Sequence, residues 1–344
     1  MNLYLFPEAA CLNNGYGIGV EFAYNRLKPT NEDLIVWYTD QPRDVMLHVK
    51  TNDIILPKNK FFSVRSVLNI LEGKERTELP KNGLDFLKGM EFDMIHCDEV
   101  IFYRALRHLF PDKSISLRLH NCFSRIHDRK KMIGVSLDWK YETKLKNMYS
   151  LEREIFQDKN VFKIFISDED RFYYTSNFGK YSDSETWEYV PNQEKVNHNR
   201  KKDFTFNHKL VWFGGVESHK AASIQWFIDT VLPKIQKEVN DIEFHLFGKN
   251  TEKFDAPQNN IFGNGFYKGE GLPMSNSLYV NPDIIGGGIK LKLMDLFENG
   301  IPFISSPFGY EGYSRDLIDS KFCHVVEPDL WADYIIQLLK MKHV

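Results

Sequence analysis

Short apolar runs that end at glycine or a polar turn recur along this chain, each followed by a stretch with helical spacing. That alternation restricts the fold more than any other feature. In the first half, Leu3 to Phe6, Leu34 to Tyr38, Met94 to Cys97, Ser114 to Leu119 and Val161 to Ser167 read as strands. Val20 to Leu27, Val100 to Leu109 and Leu145 to Gln157 read as helices, and Gly15, Gly17 and Gly19 as a loop before the first of them. A second series opens with Lys209 to Phe213, which ends at Gly214 and Gly215, and an amphipathic helix from about Ala221 to Val239. It continues with Glu243 to Phe247, closed by Gly248, a weak strand at Ile261 and Phe262, and Ser277 to Val280. Strands alternating with helices favour parallel sheets covered on both faces. The polar stretch EKVNHNRKKD after Pro191 and Asn192 separates the two series, so the prediction is an α/β chain of two Rossmann-like lobes, residues 1–193 and 194–344. Ligands of such sheets sit outside the carboxyl ends of the strands, where Gly15, Gly214, Gly248 and Gly286 fall, so the expected site is a cleft between facing lobes.

A chain of 344 residues can bury a core in each lobe. The formal net charge of −3 supplies no global field for nucleic acid, so attraction to an anion must come from a local patch. Cys11, Cys97, Cys122 and Cys323 have no CxxC or metal spacing and read as reduced thiols of a cytosolic protein. The start MNLYLFPEAA lacks a basic segment and a long apolar core, and no run approaches the ~20 apolar residues of a membrane helix. The expected location is the cytoplasm, with peripheral contact at the inner face of the membrane as a further expectation.

The stretch GGGIKLKLMDLFENGIPFISSPFGYEG, from Gly286 to Gly312, joins a glycine turn to two alternate lysines, a helix and a buried strand. Gly286, Gly287 and Gly288 let the backbone approach a ligand or take φ > 0, and the next helix start offers N–H groups to an anion. Lys290 and Lys292 add positive charge there; they diverge on a helix, so one of them is expected to meet a diphosphate. Asp295 reads as a holder of ribose hydroxyls or as a first-turn acid favoured by the helix dipole. Glu311, between Gly309 and Gly312, reads as a contact to a donor sugar or as a solvated loop acid. His120 ends the strand SISLRL and suits a base toward an acceptor hydroxyl, a hydrogen-bond donor, or a structural role. Asp98 and Glu99 are rivals for the base, and His96 reads as packed. The GYGIG loop lacks complete G-x-G-x-x-G spacing and gives little reason to expect NAD. In RLHNCFSRIHDRKKMIG, Arg118, Arg125, Arg129, Lys130 and Lys131 are interleaved with apolar residues, and the segment Arg125 to Lys131 could dock an anionic membrane or stay solvated.

With these segments laid out, the chain resembles the GT-B glycosyltransferases, in particular the family-4-like group that builds bacterial polysaccharides. LVWFGGVESHK looks like the strand and phosphate loop that opens the donor lobe, and GGGIKLKLMDLFENGIPFISSPFGYEGY is similar to the family's G-x-G-I-K-x-K turn and donor-binding helix. FDMIHCDE, ISLRLHN, FKIFISDEDRF and EYVPNQEKV are similar to segments of the family's acceptor lobe. The resemblance implies that Lys292 and Lys220 steady a leaving diphosphate, that Gly15, Gly17, Gly214, Gly215, Gly248, Gly287, Gly288, Lys290 and Asp295 line the donor, and that His120 and Glu311 stand at the reaction centre. It implies sugar transfer from a nucleotide-diphosphate sugar to a glycan hydroxyl, with a lipid-linked polysaccharide or O-antigen precursor as the acceptor. Two departures stand out: Gly215 takes the place of a phosphate-clamping arginine, and the first of two family glutamates falls in the glycine triplet, the second aligning with Asp295. They leave a non-catalytic nucleotide-sugar-binding scaffold and a sugar-nucleotide epimerase as alternatives. No DxD-like motif stands at a strand end, so the expectation is metal-independent transfer with no tightly bound cofactor and no nucleic-acid partner.

Overall fold

The structure, a computed structural model, describes residues 1–8, 15–58, 68–69, 74, 78–80, 82–179, 183–187, 206–216, 218–267, 272–313, 317–318 and 323–340. The chain divides into two compact units, Met1–Met132 with Trp139–Tyr189, and Ile133–Asp138 with Val190–Val344. The expected linker and the boundary at 193/194 lie outside the described residues, as does Cys11. Cys97, Cys122 and Cys323 are buried free thiols.

The first unit holds a seven-stranded parallel sheet, built from β1 (Leu3–Phe6), β2 (Leu34–Tyr38), β3 (Ile54–Leu56), β4 (Ile95–Cys97), β5 (Ile115–Leu119), β6 (Val161–Phe165) and β7 (Ser184–Thr186). Their order is β3-β2-β1-β4-β5-β6-β7, which reverses direction between β1 and β4. The second unit repeats the plan with β8 (Lys209–Phe213), β9 (Glu243–Phe247), β10 (Ile261–Gly263), β11 (Leu278–Asn281), β12 (Phe303–Ser305) and β13 (Cys323–Val325). Its parallel order β10-β9-β8-β11-β12-β13 is the doubly wound arrangement, with its switch point between β8 and β11.

Alternation along β8 shows why two faces are needed. Leu210 and Trp212 point into a core with Phe227, Phe244, Ile304 and Trp331, whereas Val211 faces Tyr279, Leu293, Phe297 and Phe303 on the other side. Each face is covered by helices, Ser218–Trp226 and Trp331–Lys340 on the first and Lys292–Asn299 on the second. The expected helix from Ala221 to Val239 is broken into Ser218–Trp226, a π turn at Phe227–Val231 and Leu232–Glu238. Pro233 lies just past that turn, and its ring would clash with the carbonyl four residues back in a regular helix, so the widened turn accommodates it.

Two expectations in the first unit need correction. Gly15, Gly17 and Gly19 do not form a loop; they are the first turns of the helix Gly15–Leu27. Glycine costs about 1 kcal/mol per helical position, yet Val20, Ala23 and Tyr24 bury against Phe6, Ile35 and Trp37, and tertiary packing outweighs the propensity. The basic stretch, read as docking or solvated, is not all surface either: Phe123–Ile133 is a helix, and Arg118 before it is buried. Among the described residues, no helix is long and apolar enough to cross a membrane.

Candidate functional site

In the second unit the loops after β8, β9, β11 and β12 converge at the carboxyl end of the sheet. Gly214 (φ +140°) and Gly248 (φ +129°) let two of them touch: a Cβ on Gly248 would lie 2.0 Å from the Gly214 carbonyl oxygen. Gly214 N–H donates to Phe247 at 2.9 Å, and Gly248 N–H to Gly265 at 2.6 Å, which fixes the approach. Gly215 is exposed and opens onto empty space.

The loop that leaves β11 carries Asp283, which sequence reasoning passed over. Its carboxylate is 2% exposed. Hydrogen bonds anchor its backbone on both sides: Ser306 Oγ donates to the Asp283 carbonyl and accepts from Gly309 N–H at 2.8 Å, while Ile284 N–H donates to Ser223 Oγ at 3.2 Å. Asn281 Nδ2 further ties the strand end to Ser305 Oγ and to the Gly309 carbonyl. Gly286 (φ +140°) then passes close to His219, whose Cδ2 would be 3.2 Å from an added Cβ.

Around Asp283 the structure gathers cations. Lys292 Nζ lies 3.4 Å from Asp283 Oδ2 and 4.9 Å from the centre of the buried Trp212 ring. Its side chain is 14% exposed, and the ammonium has no hydrogen-bond acceptor among the described residues. Lys290, Lys220 and His219 complete the set whose charge acts on Asp283. Burial alone would raise the Asp283 carboxyl; Lys292, Lys290, Lys220 and His219 outweigh that and hold it below the usual carboxylate range. For Lys292, burial pushes the amine down from 10.5 to about 8; Asp283 pulls it up, and Lys220 and Lys290 push it down.

The glycine triplet contributes differently from expectation. Lys290 Nζ turns back to donate to the Gly288 carbonyl at 2.8 Å and lies over the Phe308 ring at 4.3 Å. The helix Lys292–Asn299 starts without a side-chain cap, but Leu293 and Met294 N–H are already bonded to the carbonyls of Lys290 and Leu291. Attraction for an anion therefore comes from side-chain cations more than from free helical N–H groups. Asp295 is exposed on that helix, one turn beyond Leu291. Glu311 is half-buried in a turn held against the triplet segment: Tyr313 OH donates to the Lys290 carbonyl at 2.9 Å, and a Cβ on Gly312 would lie 2.4 Å from Ile289 Cγ1. Lys220, Lys290, Lys292, Gly286–Gly288 and the Glu311 turn thus share one end of one sheet, with Gly214, Gly215 and Gly248 beside them.

The first unit carries its own cluster at the corresponding strand ends. Asp98, just past β4, is wholly buried; Arg118 Nη1 donates to its Oδ1 at 2.9 Å and to the Gly19 carbonyl at 2.9 Å. His120 Nε2 lies 2.8 Å from the Asp98 carbonyl and 3.2 Å from Oδ2. Both partners are acceptors, so Nε2 carries a hydrogen toward them. Burial would raise the Asp98 carboxyl, but Arg118 and His120 drive it far below the ordinary range, so it stays ionised. Asp98 is therefore the partner of His120 rather than a rival base, and Glu99 caps Val100 N–H at 2.8 Å. His96 is packed, fully buried and stacked on Trp187. In the basic helix Arg125 pairs with Asp170 at 2.9 Å and Lys130 with Glu142, so two of its cations are already neutralised, and Lys131 is exposed.

Residues 207–341 match the family model described as glycosyl transferases group 1. That stretch lies within the second unit. The chain has the GT-B fold of glycosyltransferases, and solved structures extend the likeness to nearly its whole length. WaaG, a glycosyltransferase involved in lipopolysaccharide biosynthesis, is similar with a TM-score of 0.59 and 10% identity over 99% of this chain and 91% of that one. Sucrose-phosphate synthase from Thermosynechococcus elongatus gives 0.60 and 12% over 99% and 90%. TarM from S. aureus, in a complex with fondaparinux, α-GlcNAc-glycerol and UDP, gives 0.51 and 16% over 75% of this chain and 51% of that one. No curated protein sequence matches the chain. In this chain the loops after β8 and β11 flank the switch point at which doubly wound sheets bind nucleotides.

Proposed function

We propose that the second unit holds a nucleotide-diphosphate sugar at the Asp283–Lys292 cluster and that the chain moves its sugar to a glycan hydroxyl bound by the first unit. The observation that carries this reading is the Lys292 ammonium, enclosed at the strand ends beside Asp283, with Lys290 and Lys220 acting on the same spot. As the bond from sugar to diphosphate breaks, negative charge grows on the leaving phosphate, and fixed cations in a poorly solvated place stabilise it more strongly than water does. In this reading the cations of the chain face the diphosphate without a metal, Asp295 and Glu311 hold ribose or sugar hydroxyls, and His120, oriented by Asp98, accepts the acceptor's proton. The acceptor is a lipid-linked polysaccharide or O-antigen precursor, with the Arg125 to Lys131 helix at the cytoplasmic face of an anionic membrane. The exposed Lys131 and Met132 support that placement, and failure to sediment with acidic liposomes removes it.

A thermal-shift screen of UDP-, GDP-, ADP- and CMP-sugars tests the donor assignment, because a ligand of the native state raises its apparent stability. One class is expected to raise Tm in a dose-dependent way; no response across the panel refutes the site. One observation favours a second reading, a non-catalytic nucleotide-sugar-binding scaffold: no side chain at Gly215 reaches into the site. Donor binding with neither hydrolysis nor transfer over a broad acceptor panel would select the scaffold.

A further inference from the structure

A lysine meant only to attract phosphate has no need of a buried carboxylate beside it, because that carboxylate also repels the phosphate. Asp283 is nevertheless enclosed, and three structural ties hold it in place through Ser306, Gly309 and Ser223. Its Oδ1 accepts no hydrogen bond among the described residues, so the carboxylate is not there to cap a backbone group. Its nearest charge is the Lys292 ammonium at 3.4 Å, whose other neighbour is the Trp212 ring face. Among the described residues, Lys220 and His219 from the helix Ser218–Trp226, and Lys290 from the triplet segment, are further charged or titratable groups acting on Asp283, and Lys220 and Lys290 act on Lys292 as well.

We propose that Asp283 is a positioning residue of the donor site: its buried carboxylate keeps the Lys292 amine protonated and aimed into the cation cluster, so that diphosphate binding persists up to neutral and mildly alkaline pH. This rests on the donor reading given above. The physical argument is a competition of two terms. An enclosed amine among like charges loses its proton easily, since burial and neighbouring cations both disfavour the ammonium. An anion in contact reverses that, and in the unliganded protein Asp283 is that anion. When a diphosphate arrives it supplies a second, stronger one, and the amine takes up whatever fraction of a proton it lacks.

The test is nucleoside diphosphate affinity as a function of pH, by calorimetry, for the wild type, Asp283→Asn and Lys292→Met, with whichever of UDP, GDP and ADP binds the wild type most tightly. The wild type is expected to hold its affinity to about pH 8 and to weaken above it, following the amine. In Asp283→Asn the decline should begin ~1–3 pH units lower, the usual effect of one contacting charge. Below the onset of its own decline the same variant should bind as tightly as the wild type or more tightly, because the amine is then charged and the repelling carboxylate is gone. A merely structural role for Asp283 would weaken binding at every pH alike. Superimposable profiles, or a uniform loss, overturn the proposal while leaving the donor site intact, provided that Lys292→Met weakens binding. If Lys292→Met binds as the wild type does, the donor reading itself has failed. Should Asp283→Asn not fold, proton uptake by the wild type decides: about half a proton on binding at pH 8, and almost none at pH 7. Uptake of nearly a whole proton already at pH 7 would show the amine neutral despite Asp283, and would overturn the assignment.

Discussion

Lys292→Met removes the ammonium while keeping most of the side-chain volume, and its consequences can be worked out in two independent assays. In the fold the amine loses its proton near pH 8 instead of 10.5. That difference of roughly 2.5 pH units corresponds to about 3 kcal/mol of disfavour for the charged form in the native state. The sign follows from proton counting. Between pH 8 and 10.5 the unfolded chain keeps a proton on Lys292 that the folded chain has released, so wild-type stability rises with pH across that window relative to Lys292→Met. Below pH 8 both states are protonated and the difference is flat. Urea unfolding of both proteins at pH 7.5, 9 and 10.5 should show the wild-type-minus-variant difference climbing by about 3 kcal/mol, order of magnitude, toward the alkaline end. Turnover should fall on the order of 10²–10³-fold at pH 7, the usual effect of deleting one preorganised group that meets transition-state charge. A difference that does not change across the alkaline window would refute the burial of the amine. Transfer within twofold of the wild type would refute its place at the diphosphate.

Three further outcomes follow from named contacts. His120→Asn should lower turnover by roughly 10²-fold while leaving nucleoside diphosphate affinity unchanged, because His120 belongs to the first unit's Asp98 cluster; a parallel loss of affinity contradicts the assignment. Gly248→Ala should destabilise the second unit by at least about 2 kcal/mol, since φ is +129° and the new Cβ would meet the Gly214 oxygen at 2.0 Å; an unchanged Tm would show that the two loops do not touch. Gly215→Arg should fold normally, because an added Cβ there meets nothing within 4 Å, and should tighten nucleoside diphosphate binding by supplying the absent cation; weaker binding would place residue 215 away from the phosphates.

Much of this architecture can be read in advance wherever a strand is both long and buried on two sides. Leu34 to Tyr38 is a continuous apolar run, Lys209 to Phe213 and Glu243 to Phe247 are mostly apolar ones, all closed by a turn or a glycine, and each is a strand at the place its residues indicate. The edges resist such reading. Ser184–Thr186 is three polar residues whose strand character comes from pairing with Lys163, Ile164 and Phe165, and Cys323–Val325 likewise depends on pairing with Phe303 to Ser305. Site chemistry divides similarly. The lysines of the triplet segment announce themselves by composition, but Asp283 does not, because its meaning lies in contacts with Lys220 and His219 some sixty residues earlier. A lone acid between a buried strand and a pair of lysines, in Asn281-Pro282-Asp283, was the one signal that could have marked it. Arg118 shows the converse error: its neighbours in sequence suggest a basic surface, whereas its guanidinium closes an ion pair with Asp98 inside the first unit.

The central claim is that Lys292 and the cations around it recognise a diphosphate, and comparing nucleoside diphosphate with the matching monophosphate tests it most directly. Titrated side by side at pH 7 and fixed ionic strength, the diphosphate should bind the wild type at least about tenfold more tightly, and Lys292→Met should erase most of that preference while leaving monophosphate affinity almost untouched. Equal affinities in the wild type, or a preference that survives Lys292→Met, would contradict the account.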